Sequence, residues 1–189
     1  MINIIKTIVT GFFLFITISQ VQSQDAIFTL EDESAGIGSS FCMNVNAENL
    51  ANIVSLQFSI NWDETILELT SIDALHPSFT GANINTSGSA SGISTFSFSS
   101  PSPGGVSMPD GDLFFRLCFT VVGPGGSSTQ VDFTGTPTTI DVLANNNGMF
   151  TPMNLVTQGG NVVGVFGATT TIGVNGTSAE HAILDGAGL

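Results

Sequence analysis

The stretch that most constrains the fold is residues 53–62, where apolar and polar side chains alternate. From residue 55 onward its apolar side chains fall on alternate positions: Leu56, Phe58, Ile60 and Trp62. Successive side chains of a β-strand point to opposite faces, so this alternation predicts a strand with one buried and one solvent-facing side. Trp62 is in phase with the apolar set and is therefore expected to be buried. An acidic turn at 63–65 follows the strand.

Similar short segments recur along the chain, and Gly, Pro, Asn or Ser separates each from the next. They cover residues 25–30, 41–46, 66–72, 93–99, 113–122, 129–134, 139–143 and 161–166. Val, Ile, Phe and Thr dominate these segments, and no stretch has a helical period. Eight or nine short strands with turns between them predict an all-β, antiparallel β-sandwich. Residues 73–92 are expected to form a loop, and the NNNG sequence at 145–148 a tight turn.

The charge balance excludes several classes of partner. The formal net charge is −13, and Lys6 and Arg116 are the only Lys or Arg side chains against 15 acidic ones. A protein that binds nucleic acid or an anionic membrane surface needs clustered cations, which this chain lacks. No nucleic-acid partner is therefore expected.

Residues 1–23 have the pattern of a signal peptide. Lys6 precedes an apolar run at 8–18, and small or compact residues close the segment at 21–23. A membrane anchor is the alternative, but this run of about 11 residues is shorter than the roughly 20 that span a bilayer. We expect cleavage after Ser23, a secreted or cell-surface location and no membrane insertion after cleavage. The sandwich domain is then assigned to 24–166, and 167–189 to a tail or linker rich in Gly and Thr.

The chain has two cysteines, Cys42 and Cys118, and each lies on the polar side of its predicted strand. In an exported protein, two cysteines predict a disulfide. Two separate buried thiols are the alternative, because a free cysteine packs well as a small apolar residue. A metal site is less favoured, since neither cysteine has a second Cys or a His at ligand spacing.

No motif predicts an active site. The two histidines, His76 and His181, lack a nucleophile signature nearby, and we interpret both as loop or surface residues. Asp110 and Asp112 are weak candidates for a calcium site, because the 12-residue pattern of an EF-hand is missing. No other metal site and no cofactor is predicted. The Asn-Thr-Ser and Asn-Gly-Thr sequences that begin at residues 85 and 175 match the glycosylation consensus.

Four segments together resemble the cohesin-type module, a family of bacterial binding domains. They are residues 41–72, which include INWDETIL, residues 108–123 (MPDGDLFFRLCFTVVG), residues 129–134 and residues 159–165. Their order agrees with the family pattern over about residues 25–166. The resemblance implies a nine-stranded jelly-roll sandwich that binds dockerin modules and thereby assembles protein complexes. It also implies that the strands carrying Cys42 and Cys118 are neighbours in one sheet, which favours the disulfide.

The resemblance further implies a partner-binding face on one sheet. Its outward side chains would be Ser55, Gln57, Ser59, Asn61, Thr95, Ser97, Gln130 and Asp132. This set has one charge and no exposed aromatic residue, whereas tight interfaces usually centre on aromatic or Arg anchors. An ordinary solvated sheet face is therefore the alternative.

The functional prediction is an exported, non-catalytic binding module that takes a dockerin-like protein partner at the cell surface. One alternative is a carbohydrate-binding module that takes a polysaccharide, which rests on kinship of fold. The other is a structural stalk unit of a larger surface protein.

Overall fold

A computed structural model describes residues 24–166 and, beyond them, the strand pair β14 (Thr170–Thr171) and β15 (Ile183–Leu184). Residues 24–166 form thirteen strands and two short 3₁₀ helices, Pro77–Phe79 and Ser89–Ser91. The strands are β1 (Ala26–Leu30), β2 (Glu33–Gly36), β3 (Ser40–Glu48), β4 (Ile53–Asn61), β5 (Leu67–Asp73), β6 (Asn83–Asn85), β7 (Ile93–Ser99), β8 (Asp112–Val121), β9 (Ser128–Thr134), β10 (Asp141–Asn146), β11 (Met149–Met153), β12 (Leu155–Gln158) and β13 (Gly160–Val165).

These strands build two sheets, and the predicted all-β sandwich is confirmed. The first sheet has the order β12-β1-β3-β8-β5. The second has the order β11-β10-β4-β9-β13-β2, and β7 followed by β6 extends it on the other side of β4. Because β9 and β10 pair with different halves of the same edge of β4, the chain between them must bulge out of the sheet.

The structure differs from the sequence-based prediction in strand number and in two pairings. Four strands that were not predicted, β2, β6, β11 and β12, have three to five residues each. β2, β6 and β11 contain Gly, Asn or Pro, which alone favour turns, and β12 (LVTQ) has only four residues. All four become strands because longer neighbours supply hydrogen-bond partners. β1 pairs with β12, and β2 with β13, in parallel, so the sandwich is mostly but not wholly antiparallel.

A cluster of phenylalanine rings fills the space between the sheets. Phe58 lies at its centre, with ring centroids 5.4 Å from Phe28, 5.0 Å from Phe96 and 5.4 Å from Phe133. Phe58 and Phe28 are fully buried, and they belong to different sheets. Trp62 is 6 % exposed and donates its indole N–H to a main-chain carbonyl at 3.0 Å, which confirms its predicted burial. Packed aromatic pairs of this geometry stabilise the core beyond the area they bury.

The disulfide between Cys42 and Cys118 joins β3 and β8 on the outer side of the first sheet. The two cysteines are directly opposite each other in the register, with Cα atoms 4.0 Å apart. The predicted pairing is therefore present. The bond links residues 76 apart in sequence.

The predicted signal peptide, the glycosylation consensus at 175 and His181 lie outside the described residues. So does the predicted tail, apart from the four residues of β14 and β15. Within the part of the chain that the structure describes, no helix is long and apolar enough to cross a membrane.

Candidate partner-binding face

The outer side of the second sheet carries all eight residues predicted for the partner-binding face. Cross-strand pairs place Gln57 opposite Ser97 and Asn61 opposite Asp132. Directly opposed residues of an antiparallel pair project to the same side, so β4, β7 and β9 contribute to one continuous surface. Ser97, Gln130 and Asp132 are exposed on it. We call this surface the sheet-2 face.

One predicted residue, Ser59, does not reach solvent. It is fully buried beneath residues 135–140, the bulge between β9 and β10. Its hydroxyl accepts a hydrogen bond from the Thr138 N–H at 2.8 Å and lies 3.2 Å from the Thr138 carbonyl, to which it can donate. Gln57 also donates to the Thr139 hydroxyl at 3.1 Å. The strand pattern correctly placed Ser59 on this side, but it could not show that a distant segment covers it.

The hairpin β10–β11 extends the sheet-2 face beyond the predicted residues. Leu143 is directly opposite Ser55 on β4 and opposite Pro152 on β11, while Phe150 is opposite Asn145. Buried Val142 and Ala144 alternate with Leu143 and Asn145, so the latter two project outward together with Phe150. Phe150 is 60 % exposed. The eight predicted residues include no aromatic side chain, and Phe150 supplies one at the margin of the same surface.

The sequence contains a signal for this hairpin at its Asn-Gly turn. Asn147 and Gly148 both have positive φ, 52° and 89°, as a type I′ hairpin turn requires. NNNG predicts a tight turn, but MFTPM after it contains proline and has little alternation, so its own pattern does not predict a strand. A two-residue Asn-Gly turn with strand-forming residues on both sides is itself a hairpin signal.

The sheet-2 face is acidic, and its acidic residues lack a basic neighbour. Asp132 on β9 and Asp141 on β10 both project outward, since Asp141 is opposite Gln57. Arg116, the only Lys or Arg within 24–166, lies in the other sheet, where its Nε donates to Asp73 at 2.8 Å. A surface of this kind attracts cationic groups.

Asp63 lies at the end of β4 and stabilises the turn that follows. Its carboxylate accepts hydrogen bonds from the Thr65 hydroxyl at 2.6 Å and from the Thr65 N–H at 2.9 Å. These two bonds favour the charged form and lower the pKa of Asp63 below its ordinary value of 3.8. Asp63 therefore has a local structural role in an exposed turn.

The calcium candidates Asp110 and Asp112 each contact a residue of another loop. One oxygen of Asp110 accepts the Asn49 N–H at 2.7 Å, so it fastens one loop to another. Asp112 lies 3.9 Å from the Nε2 atom of His76. Over the described residues there is no group of three or more His, Cys, Asp or Glu side chains that could hold a metal ion.

His76 also has a structural position. Its Nδ1 atom accepts the Ser78 N–H at 3.2 Å at the start of the first 3₁₀ helix, and its Nε2 atom faces Asp112. Its backbone N–H donates to the Phe114 carbonyl at 2.7 Å. These contacts agree with its interpretation as a loop residue.

A cleft of about 380 Å³ lies at the opposite edge of the sandwich, between β5 and the β6 region. Its lining is Leu69, Thr70, Ser71, Ile72, Ile84, Thr86 and Ser89. Sugar rings bind commonly by stacking on flat aromatic side chains, and none lines this cleft. The cleft therefore gives no specific support to carbohydrate binding.

Comparison with known protein families identifies the family of this chain. A sequence model of the cohesin domain matches residues 27–151, which extend from β1 into β11. The chain belongs to the cohesin family. The resemblance found in the sequence is thus confirmed. The matched region of this cohesin includes β4, β7, β9 and β10, which carry most of the sheet-2 face.

Solved structures with the same fold are also cohesins. One is the seventh ScaB type I cohesin of Pseudobacteroides cellulosolvens, with a TM-score of 0.64 at 15 % identity, over 84 % of this chain and 99 % of that chain. The sixth cohesin of Acetivibrio cellulolyticus scaffoldin B, in complex with a Cel5 dockerin, has a TM-score of 0.60 at 20 % identity, over 75 % and 99 %.

A non-cellulosomal cohesin of the archaeon Archaeoglobus fulgidus has a TM-score of 0.57 at 17 % identity, over 75 % of this chain and 92 % of that chain. At these identities the likeness concerns the fold alone. A search of curated protein sequences returned no match.

Proposed function

We propose that this cohesin domain is an exported, non-catalytic module that assembles proteins at the cell surface by binding a dockerin-type partner on its sheet-2 face. The observation that carries the proposal is the family match over residues 27–151. Structures of the same fold from Acetivibrio cellulolyticus and Clostridium thermocellum were solved as cohesin–dockerin complexes, which supports a protein partner. Binding of such a partner would require no catalytic residue in this chain.

The geometry supports the sheet-2 face as the docking surface. Its strands are held by the buried core on one side, and Ser97, Gln130 and Asp132 are exposed on the other. Phe150 adds the aromatic group that a polar face alone would lack. Interfaces of useful affinity combine a few such anchors with a polar surround, so the face has both components.

Export is supported by two independent features. Residues 1–23 have the composition of a signal peptide, and the domain contains a disulfide, a bond that forms and persists in oxidising compartments. Intact-mass analysis of protein secreted by the native host tests this step. A chain that begins at residue 24 and resists alkylation is expected, and a cytosolic, uncleaved chain would refute it.

The binding experiment titrates the mature chain with each dockerin module encoded in the same genome, by isothermal titration calorimetry. At least one saturable 1:1 interaction is expected. A Ser97→Arg substitution places a long charged side chain on β7 within the face, and we expect the Kd to rise at least about tenfold. The matched control is Ser71→Arg, which puts the same change on the first sheet and should leave the Kd within about twofold.

Two further outcomes separate the alternatives. Retarded migration in polysaccharide gels with no dockerin binding would favour a carbohydrate-binding module. Absence of both interactions would leave the stalk unit of a larger surface protein. Either result overturns the proposal.

A further inference from the structure

The hairpin β10–β11 exposes a group of apolar side chains on the sheet-2 face. Phe150 is 60 % exposed on the outer side of the sheet, whereas the adjacent Met149, 70 % exposed, projects to the other side of the hairpin. Leu143 and Pro152 lie directly opposite each other, on the same side as Phe150. Single exposed apolar residues are common, but a contiguous group on one face marks a contact surface.

The hairpin is held in a defined position. Five consecutive cross-strand pairs join β10 to β11. Asn145 accepts the Gly148 N–H at 2.7 Å with its side chain, donates its backbone N–H to the Asn52 carbonyl at 2.8 Å, and also contacts the Pro103 carbonyl. A group that is already ordered loses little conformational entropy when a partner binds, so Phe150 is suited to act as an anchor.

The acidic residues on the same face define the chemistry of the partner. Asp141 is two residues from Leu143 along β10, and Asp132 lies on β9. The only Lys or Arg within residues 24–166, Arg116, is in the other sheet and pairs with Asp73. Neither carboxylate on the face is compensated by the domain itself. A partner that brings Lys or Arg would supply the missing charges, while an acidic partner would be repelled.

We infer that Phe150, flanked by Leu143 and Pro152, is the apolar anchor of the docking surface, and that Asp132 and Asp141 select a dockerin whose contact surface is cationic. The inference rests on the proposed function. It adds which residues contribute most of the binding affinity and which kind of dockerin the face accepts. The occupant is a dockerin module with an apolar pocket bordered by Lys or Arg. The anchor lies on the hairpin, two strands away from β4, outside the set of residues that the sequence indicated.

The first test replaces the anchor. The probe is the dockerin that binds the mature chain in calorimetry, titrated into wild type, Phe150→Ala and Phe150→Leu. We expect Phe150→Ala to raise the Kd at least about tenfold, and Phe150→Leu to recover part of that loss, because the pocket is apolar. The matched control is Phe166→Ala, since Phe166 is 42 % exposed but follows β13 at a different part of the surface. This control is expected to bind within about twofold of wild type. Thermal melts of all variants establish that they fold.

The second test removes the charges. The double variant Asp132→Asn with Asp141→Asn should bind about three- to tenfold more weakly at low salt. Raising NaCl from about 50 to about 500 mM should weaken binding of wild type clearly more than binding of the double variant, because salt screens exposed charges. Glu68→Gln, which removes an exposed acid from β5 on the other sheet, is the control and should follow wild type.

The outcomes distinguish the two proposals. If no dockerin binds wild type, both the proposed function and this inference are overturned. If a dockerin binds and Ser97→Arg disrupts it while Phe150→Ala binds like wild type, the sheet-2 face stands and the anchor is refuted. A dockerin that binds with unchanged affinity to the double Asn variant at low salt refutes the charge selection.

Discussion

Removing the disulfide should cost this domain a large part of its stability, and the structure sets the size of the effect. Cys42 and Cys118 are 76 residues apart in sequence, so the bond closes more than half of the sandwich into one loop. In the loop-entropy treatment, a loop of 76 residues lowers the entropy of the unfolded chain by about 15 cal/mol/K. At 25 °C this corresponds to about 4.5 kcal/mol, against a total stability of roughly 5–15 kcal/mol for a typical domain.

The folded state should survive without the bond. β3 and β8 are joined by eight register pairs, and buried residues such as Met43, Val45 and Leu117 alternate with the cysteines. Cys42 is exposed and Cys118 is buried, at 7 % exposure, and serine is close to cysteine in size at both positions. The loss should therefore act mainly through the unfolded state, and the double variant C42S/C118S should fold with a lower melting temperature.

For a domain of about 140 residues, 1 kcal/mol moves the melting temperature by about 3 °C, so we expect a fall of roughly 10–14 °C. The assay is urea and thermal unfolding of oxidised wild type, reduced wild type and C42S/C118S. Trp62 is the only tryptophan and is buried, so its fluorescence reports the core directly. Reduced wild type and the double variant should melt together, and the oxidised protein should resist alkylation of both thiols.

A difference below about 2 °C between oxidised and reduced wild type would refute the entropic argument. Modification of both cysteines in the native, oxidised protein would instead show that the bond is not formed. A double variant that differs from reduced wild type would locate the effect in side-chain packing.

Three further predictions concern local features. The lowered pKa of Asp63 means that its contribution to stability is present above about pH 4 and is lost as the pH falls through the folded-state pKa. Asp63→Asn should therefore flatten the dependence of melting temperature on pH between about pH 2 and 5. Parallel curves for the two proteins would contradict this. A non-glycine residue at a left-handed backbone position costs roughly 1–2 kcal/mol. Gly92→Ala should destabilise the domain by clearly more than this in urea unfolding, because its new Cβ would also meet the Trp62 carbonyl. Gly111 likewise has a positive φ but open space around it, so Gly111→Ala should show only the smaller cost. Melting temperatures in calcium and in chelator should be equal, because the acidic turn at Gly111 uses a carboxylate to fasten a loop; a rise with calcium would contradict that assignment.

Periodicity alone was enough to predict the sandwich and most of its long strands. β4, β7 and β9 alternate in sequence, and a strand with one buried face must alternate, so the pattern and the structure have the same cause. β8 is instead recognisable as a long apolar run. The burial of Trp62 and the outward direction of the polar residues follow from the same parity. The order of sequence segments identified the family, because that signal is a property of the chain itself.

The short strands could not be predicted in this way. β6 (Asn83–Asn85) has a composition that suits a turn, and β11 (Met149–Met153) contains proline and has little alternation. Both are extended because β7 and β10 offer them hydrogen-bond partners. Such pairing depends on which segments the fold brings side by side. Parallel pairing of β1 with β12 has the same origin, since the two strands are more than 120 residues apart in sequence.

The proposed docking surface could be predicted in part from the sequence. Alternation in β4, β7 and β9 determined which side chains share one side of the sheet, because each strand sets the direction of its own residues. Only the tertiary structure decided which of them are accessible. Ser59 is covered by a segment nearly 80 residues away in sequence. Phe150 becomes part of the face because β11 pairs with β10, and β10 with β4. Exposure depends on what the rest of the chain places above a residue, and a single strand's pattern carries no information about that.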